Sequence, residues 1–189
     1  MNVDLNRADI YYTFEEFMEL QDDGNCYELH NGRLYMMSGV SNAHTIATGE
    51  LITQLTISQR GKKCQVRHAP YDVRLWENED TAYEPDVFVV CDPSKLKDKY
   101  CEGAPDFIAE VLSPSNSSND LVRKFKDYRE AGVKEYWIVD TEKKLVMAHR
   151  LIDKIYATEV YEASDKAPVQ VLDGFEIELS YVFPNVPAE

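Results

Sequence analysis

The chain has 189 residues, 44 % of them apolar and 11 % aromatic, with 8 Gly and 8 Pro. That suffices for one domain with a sizeable core, and it excludes disordered, collagenous and low-complexity classes. The 20 Lys and Arg against 34 Asp and Glu leave a net charge of −14, the wrong sign for a generic DNA coat or an anionic-membrane binder.

No stretch approaches the roughly 18 apolar residues of a membrane span, and the polar, acidic start shows no leader. A soluble, cytoplasmic protein is expected, with a single domain over 12–185 and an N-terminal extension over 1–11. Cys26, Cys64, Cys91 and Cys101 contain no C-x-x-C pair, and buried reduced thiols are the expected state.

In chain order, Thr13-Phe14-Glu15-Glu16 has capping-box spacing, so a short helix starts there with Phe17 and Leu20 on its apolar stripe. Asn31-Gly32 sits between alternating residues, the signal of a two-residue hairpin loop, because a type I′ turn needs positive φ at both positions. That loop pairs His30 with Arg33, Leu29 with Leu34, Glu28 with Tyr35 and Tyr27 with Met36, leaving Glu28 opposite the apolar face.

Ser41–Ser58 reads as a helix, with Ala43, Ile46, Ala47 and Leu51 on one side and His44 in its first turn. Val66–Trp76 is strand-like but broken by Pro70, which marks an edge or a bulge. Tyr83–Cys91 is a second strand-like run, and Pro105–Leu112 a third, apolar on both faces except at Glu110, as in a central covered strand.

After a polar loop, Asp120–Ala131 is helical through Leu121, Phe125 and Tyr128, with Gly132 as its C-cap, and Glu135–Asp140 is a strand. Strand, helix and strand in this order form a right-handed βαβ crossover. Leu145–Leu151, Ile155–Tyr161, Val169–Leu172 and Phe175–Leu179 read as short antiparallel strands. The fold class is α/β, a mixed central sheet flanked by helices.

Three acids stand in surroundings that do not suit them. A lone buried carboxylate costs several kcal/mol, so Glu110 must be paired, protonated or metal-bound. Asp86 opens an apolar run, and Glu28 lies on a hairpin leading towards the helix of His44. The plainer alternatives are a core salt bridge for Glu110, a solvated cap for Asp86, and surface positions for Glu28 and His44.

Lys124 borders the stripe that faces the sheet, so its ammonium can reach Glu110, whereas Lys126 falls towards solvent. Leu121–Arg150 is a basic region, with eight basic residues against five acidic, a net of +3. Carboxylates with a lysine suit Mg²⁺ or Mn²⁺ and phosphoryl chemistry. A glycosidase pair is disfavoured, because a neighbouring lysine opposes the raised pKa that a general acid needs.

The runs Glu84-Pro85-Asp86-Val87, Ala104-Pro105-Asp106-Phe107-Ile108-Ala109-Glu110-Val111-Leu112-Ser113, Asp120-Leu121 with Lys124 and Tyr128, and Ala131-Gly132-Val133-Lys134-Glu135-Tyr136-Trp137-Ile138-Val139-Asp140 resemble a bacterial family of restriction-endonuclease-like proteins in the PD-(D/E)XK superfamily. Tyr27-Glu28-Leu29-His30-Asn31-Gly32 and His44 match its N-terminal pattern.

The resemblance implies a restriction-endonuclease-like core whose Asp86, Glu110 and Glu28 hold a divalent metal, with Lys124 and His44 around the same pocket. It also implies a homodimer acting on DNA. Where the superfamily has a lysine two residues after the glutamate, this chain has Leu112; the resemblance implies either that Lys124 supplies that charge from the following helix or that water activation is impaired. The expected function is metal-dependent cleavage of DNA phosphodiesters. The alternative is an inactive nuclease-fold homodimer serving as a binding or scaffolding module.

Overall fold

The computed structural model describes residues 10–20, 26–37, 39–113 and 118–183, with the side chains of Ser118 and Asn119 outside the description. Most of the 1–11 extension and of the 113–119 loop lies outside it too. Among the described residues, no helix is long and apolar enough to cross a membrane.

Helix α1 (Phe14–Leu20) is fixed at its start by a reciprocal capping box. The Thr13 backbone N–H donates to Glu16 Oε2 at 2.8 Å, and the Glu16 N–H donates to Thr13 Oγ1 at 3.2 Å. Strands β1 (Tyr27–His30) and β2 (Arg33–Met36) pair in the register that the Asn31-Gly32 loop dictates, with φ of 48° and 72° at the two turn residues. The faces are as expected, but exposure does not follow them. Met36 is 60 % exposed on an edge strand, whereas Glu28 is 4 % exposed because β1 is covered on both faces.

Helix α2 (Asn42–Gln59) begins at Ser41, whose Oγ accepts from the His44 N–H at 3.2 Å. Its inner stripe is His44, Ala47, Leu51 and Leu55, one residue out of phase with the expected start, and Ala43 faces solvent. Each fully buried leucine on that stripe contributes about 2 kcal/mol relative to exposure.

The two strand-like runs beside it each divide between two sheets. Val66–Trp76 becomes β3 (Gln65–His68) and β4 (Asp72–Arg74), separated at Pro70. Tyr83–Cys91 is not one strand. It becomes β5 (Ala82–Tyr83) and β6 (Val87–Val90), with Glu84-Pro85-Asp86 crossing between sheets.

Chain order continues through β7 (Tyr100–Glu102), β8 (Phe107–Val111), α3 (Ser118–Ala131) and β9 (Glu135–Asp140). The last elements are β10 (Leu145–Ile152), β11 (Ile155–Glu162), β12 (Lys166–Pro168), β13 (Glu176–Glu178) and α4 (Leu179–Val182). Val169–Leu172 is not a strand; it lies in the connection between β12 and β13. There Val169 and Leu172 bond to each other and to Phe175 as a turn.

The six-stranded sheet runs β11-β10-β9-β8-β6-β3, with β8 and β9 parallel and all other pairs antiparallel. The second sheet runs β2-β1-β5-β4-β7. On one face of β8, Phe107, Ala109 and Val111 share a core with Ala47, Leu51 and Leu55 of α2. On the other, Ile108 shares a core with Tyr128 of α3 and Val73 of β4. The alternation along β8 therefore turns Glu110 towards α3.

The thiol expectation needs correction as well. Cys64 and Cys91 form a disulfide, because they continue the register of β3 on β6, in which Gln65 faces Val90. Cys101 is buried and free, while Cys26 is free but exposed.

Candidate active site

The site forms where the two sheets meet under α3. Val87 of β6 faces Ala109 of β8, so Asp86, one step before β6, comes level with Glu110. The Val111 N–H donates to Asp86 Oδ2 at 2.7 Å and fixes that carboxylate at the strand mouth. From the second sheet, Leu29 faces Ala82, which brings Glu28 beside the crossing segment. The Glu84 N–H donates to Glu28 Oε1 at 3.4 Å.

Two helices complete the cluster. Helix α3 delivers Lys124, whose Nζ lies 2.7 Å from Glu28 Oε1 and 3.1 Å from Glu110 Oε1. One turn later the Tyr128 hydroxyl donates to Glu110 Oε1 at 2.8 Å. Helix α2 delivers His44, whose Nε2 is 3.2 Å from Asp86 Oδ1. Glu28, His44, Asp86, Glu110 and Lys124 are thus brought together from β1, α2, the β5–β6 crossing, β8 and α3. Lys124 is only 4 % exposed, and Lys126 is exposed, as their helical phases require.

Sequence reasoning passed over Glu84 and gave Tyr128 no role. Both belong to the cluster. Glu84 is 7 % exposed, and burial, reinforced by the negative charges of Glu28 and Asp86, pushes its carboxyl up to about 7. The available signal was a second acid two residues before Asp86 at the mouth of an apolar strand.

Burial also raises Glu110, with Asp86 and Glu28 adding to the rise while Lys124 and Tyr128 oppose it. Burial disfavours the ammonium of Lys124, but Glu110 and Glu28 outweigh that and hold it protonated. His44 follows the same logic: burial lowers its pKa, and the Asp86 carboxylate more than restores it.

Four carboxylates therefore crowd around one ammonium and one imidazole. Oxygen donors of this kind, on Asp86 and Glu110, are the type that Mg²⁺ or Mn²⁺ takes. Among the described residues, no three His, Cys, Asp or Glu side chains already converge as a metal cage. Their oxygens are instead engaged by Lys124, Tyr128, His44 and backbone N–H groups. The donor chemistry fits such an ion, and Asp86 and Glu110 are the side chains that would hold it.

Comparison with known proteins bears on the fold and the family. A protein of Synechocystis sp. whose function is uncharacterized is 25 % identical over 171 residues, covering 88 % of this chain and 90 % of its own length. A crystal structure titled as a putative nuclease of DUF820 from Anabaena variabilis superposes with a TM-score of 0.74 at 18 % identity. That match covers 90 % of this chain and 97 % of the other, and it establishes that the two share a mixed α/β fold. The Uma2 family, described as "Putative restriction endonuclease", matches residues 14–180, and the chain belongs to that family.

Proposed function

We propose that the protein is a divalent-metal-dependent nuclease that hydrolyses DNA phosphodiester bonds at the cluster of Glu28, Asp86, Glu110 and Lys124. The observation that carries this reading is the position of Lys124. Its ammonium, delivered by α3, sits within 3.1 Å of the strand glutamate, although the strand position two residues on is Leu112.

Asp86 and Glu110 would hold the cation, which when bound supplies Lewis-acid stabilisation and lowers the pKa of water. Lys124 places a permanent positive charge beside the carboxylates, where negative charge grows on the phosphoryl oxygens during displacement. Glu28, held against Lys124, orients the attacking water. Glu84, with its carboxyl near neutrality, is suited to accept a proton at a carboxylate oxygen. His44 fixes Asp86 from the opposite helix.

A second reading is a non-catalytic binding module of the same fold. It is favoured by the same contacts, since Lys124 and His44 already compensate the carboxylates without a metal. Plasmid DNA incubated with the protein in Mg²⁺, in Mn²⁺ and in EDTA, beside Glu110→Ala, separates the two. The nuclease reading expects metal-dependent nicking that falls by at least ~10³-fold in the variant. Absence of cleavage in every condition leaves the binding module.

A further inference from the structure

Next to the cluster lies an open cleft of about 510 Å³ that the proposed chemistry does not use. Arg123, Lys126, His30 and Trp76 contribute to its wall. Arg123 and Lys126 are three apart on α3 and so share a face of the helix. The cleft adjoins the site through Tyr83, whose ring centroid is 5.5 Å from Lys124 Nζ and 5.9 Å from the Arg123 guanidinium carbon.

Arg123 is held ready but not saturated. Its guanidinium lies 4.1 Å over the Tyr35 ring and pairs with Asp120, yet its buried Nε has no hydrogen-bond partner. The acids on the same wall are Glu79, Asp127 and Glu130.

Asp127 is taken by the Tyr83 hydroxyl at 2.6 Å and by His30 Nδ1 at 3.1 Å, and Glu130 lies 3.6 Å from Arg129. Of the acids lining the cleft, Glu79 is the one without a side-chain ion pair among the described residues, while Asp120, on the same helix, pairs with Arg123. The helix side of the cleft, with Arg123 and Lys126, belongs to a segment of net positive charge in an acidic chain.

We infer that this cleft is a subsite for the nucleic-acid strand beside the cleavage point: Arg123 and Lys126 contact a neighbouring phosphodiester, and Trp76 offers its indole to a base. This rests on the nuclease reading and extends it, because it assigns strand binding to residues outside the carboxylate cluster. Phosphate contacts of this kind position a strand without reading its sequence, and aromatic stacking tolerates every base.

The test uses the full chain with a short DNA duplex and an RNA of the same sequence, in EDTA for binding and in Mg²⁺ for cleavage. Arg123→Ala and the fold-safe Lys126→Ala are each expected to weaken binding about tenfold. Each should also reduce the slope of log Kd against log salt by about one, with kcat at saturating DNA within about threefold. Arg123→Lys keeps the charge but loses the fork, so it should fall between.

Trp76 emission should change on binding, and the change should vanish in Trp76→Phe, since Trp137 is fully buried. If the wild type cleaves DNA while both alanine variants keep its affinity and salt slope, the subsite is wrong and the nuclease reading stands. Binding neither nucleic acid overturns both. Preference for an acidic peptide over either oligonucleotide overturns the subsite.

Discussion

Glu110 and Glu135 lie on neighbouring parallel strands, are both buried, and are occupied in opposite ways. Glu135, fully enclosed, accepts from Trp137 Nε1 at 2.9 Å and from the Val171 N–H at 3.1 Å, with Arg150 Nε 3.9 Å away. Those donors tie β9 to the C-terminal segment and oppose the rise in pKa that burial imposes. Glu110 shares its surroundings with Glu28, Glu84 and Asp86, and one lysine answers for several of them. A buried acid whose donors match its lone pairs is a strut. A buried acid crowded by other acids lacks that match, and the proposed chemistry rests on this difference.

The contrast breaks first at Asp86. Asp86→Asn should abolish divalent-ion binding measured by calorimetry and reduce cleavage by at least ~10³-fold while the far-UV spectrum is kept. Unchanged ion affinity would remove Asp86 from the site. Glu135→Ala should do the reverse. Stranding the Trp137 and Val171 donors costs about 3 kcal/mol, a fall in Tm of roughly 10 °C, yet the folded fraction keeps its activity. If activity per folded molecule collapses, Glu135 is not merely a strut.

A smaller effect sharpens the comparison at His149, which burial holds down to about 4 and whose Nδ1 lies 2.7 Å from Thr158 Oγ1. Below its ordinary pKa near 6.5 the unfolded chain takes up a proton that the native imidazole refuses until about pH 4. Stability therefore falls as pH drops through that window. His149→Phe should flatten the acid side of a Tm–pH curve, and parallel curves would show that His149 does not cause the loss.

Local rules made much of this legible. The hairpin register follows from Asn31-Gly32, the α1 start from the Thr13–Glu16 capping box, and the centrality of β8 from an apolar run on both faces. The placement of Lys124 also follows from local phase, since a helix crossing between parallel strands must turn one stripe to the sheet. What stayed hidden depends on partners distant in the chain. The Cys64–Cys91 disulfide needs the pairing of β3 with β6, and the role of Glu84 needs the crossing between two sheets. Val169–Leu172 has strand composition but is held as a turn by contacts within the C-terminal segment.

Lys124 bears the central claim, because the whole reading depends on a helix lysine serving where Leu112 stands. The direct measurement is the rate of Mg²⁺-dependent DNA cleavage by Lys124→Met, with divalent affinity measured on the same preparation. The account predicts a loss of at least ~100-fold in kcat with divalent affinity retained. Cleavage at the wild-type rate would contradict it and reduce Lys124 to a structural counter-ion.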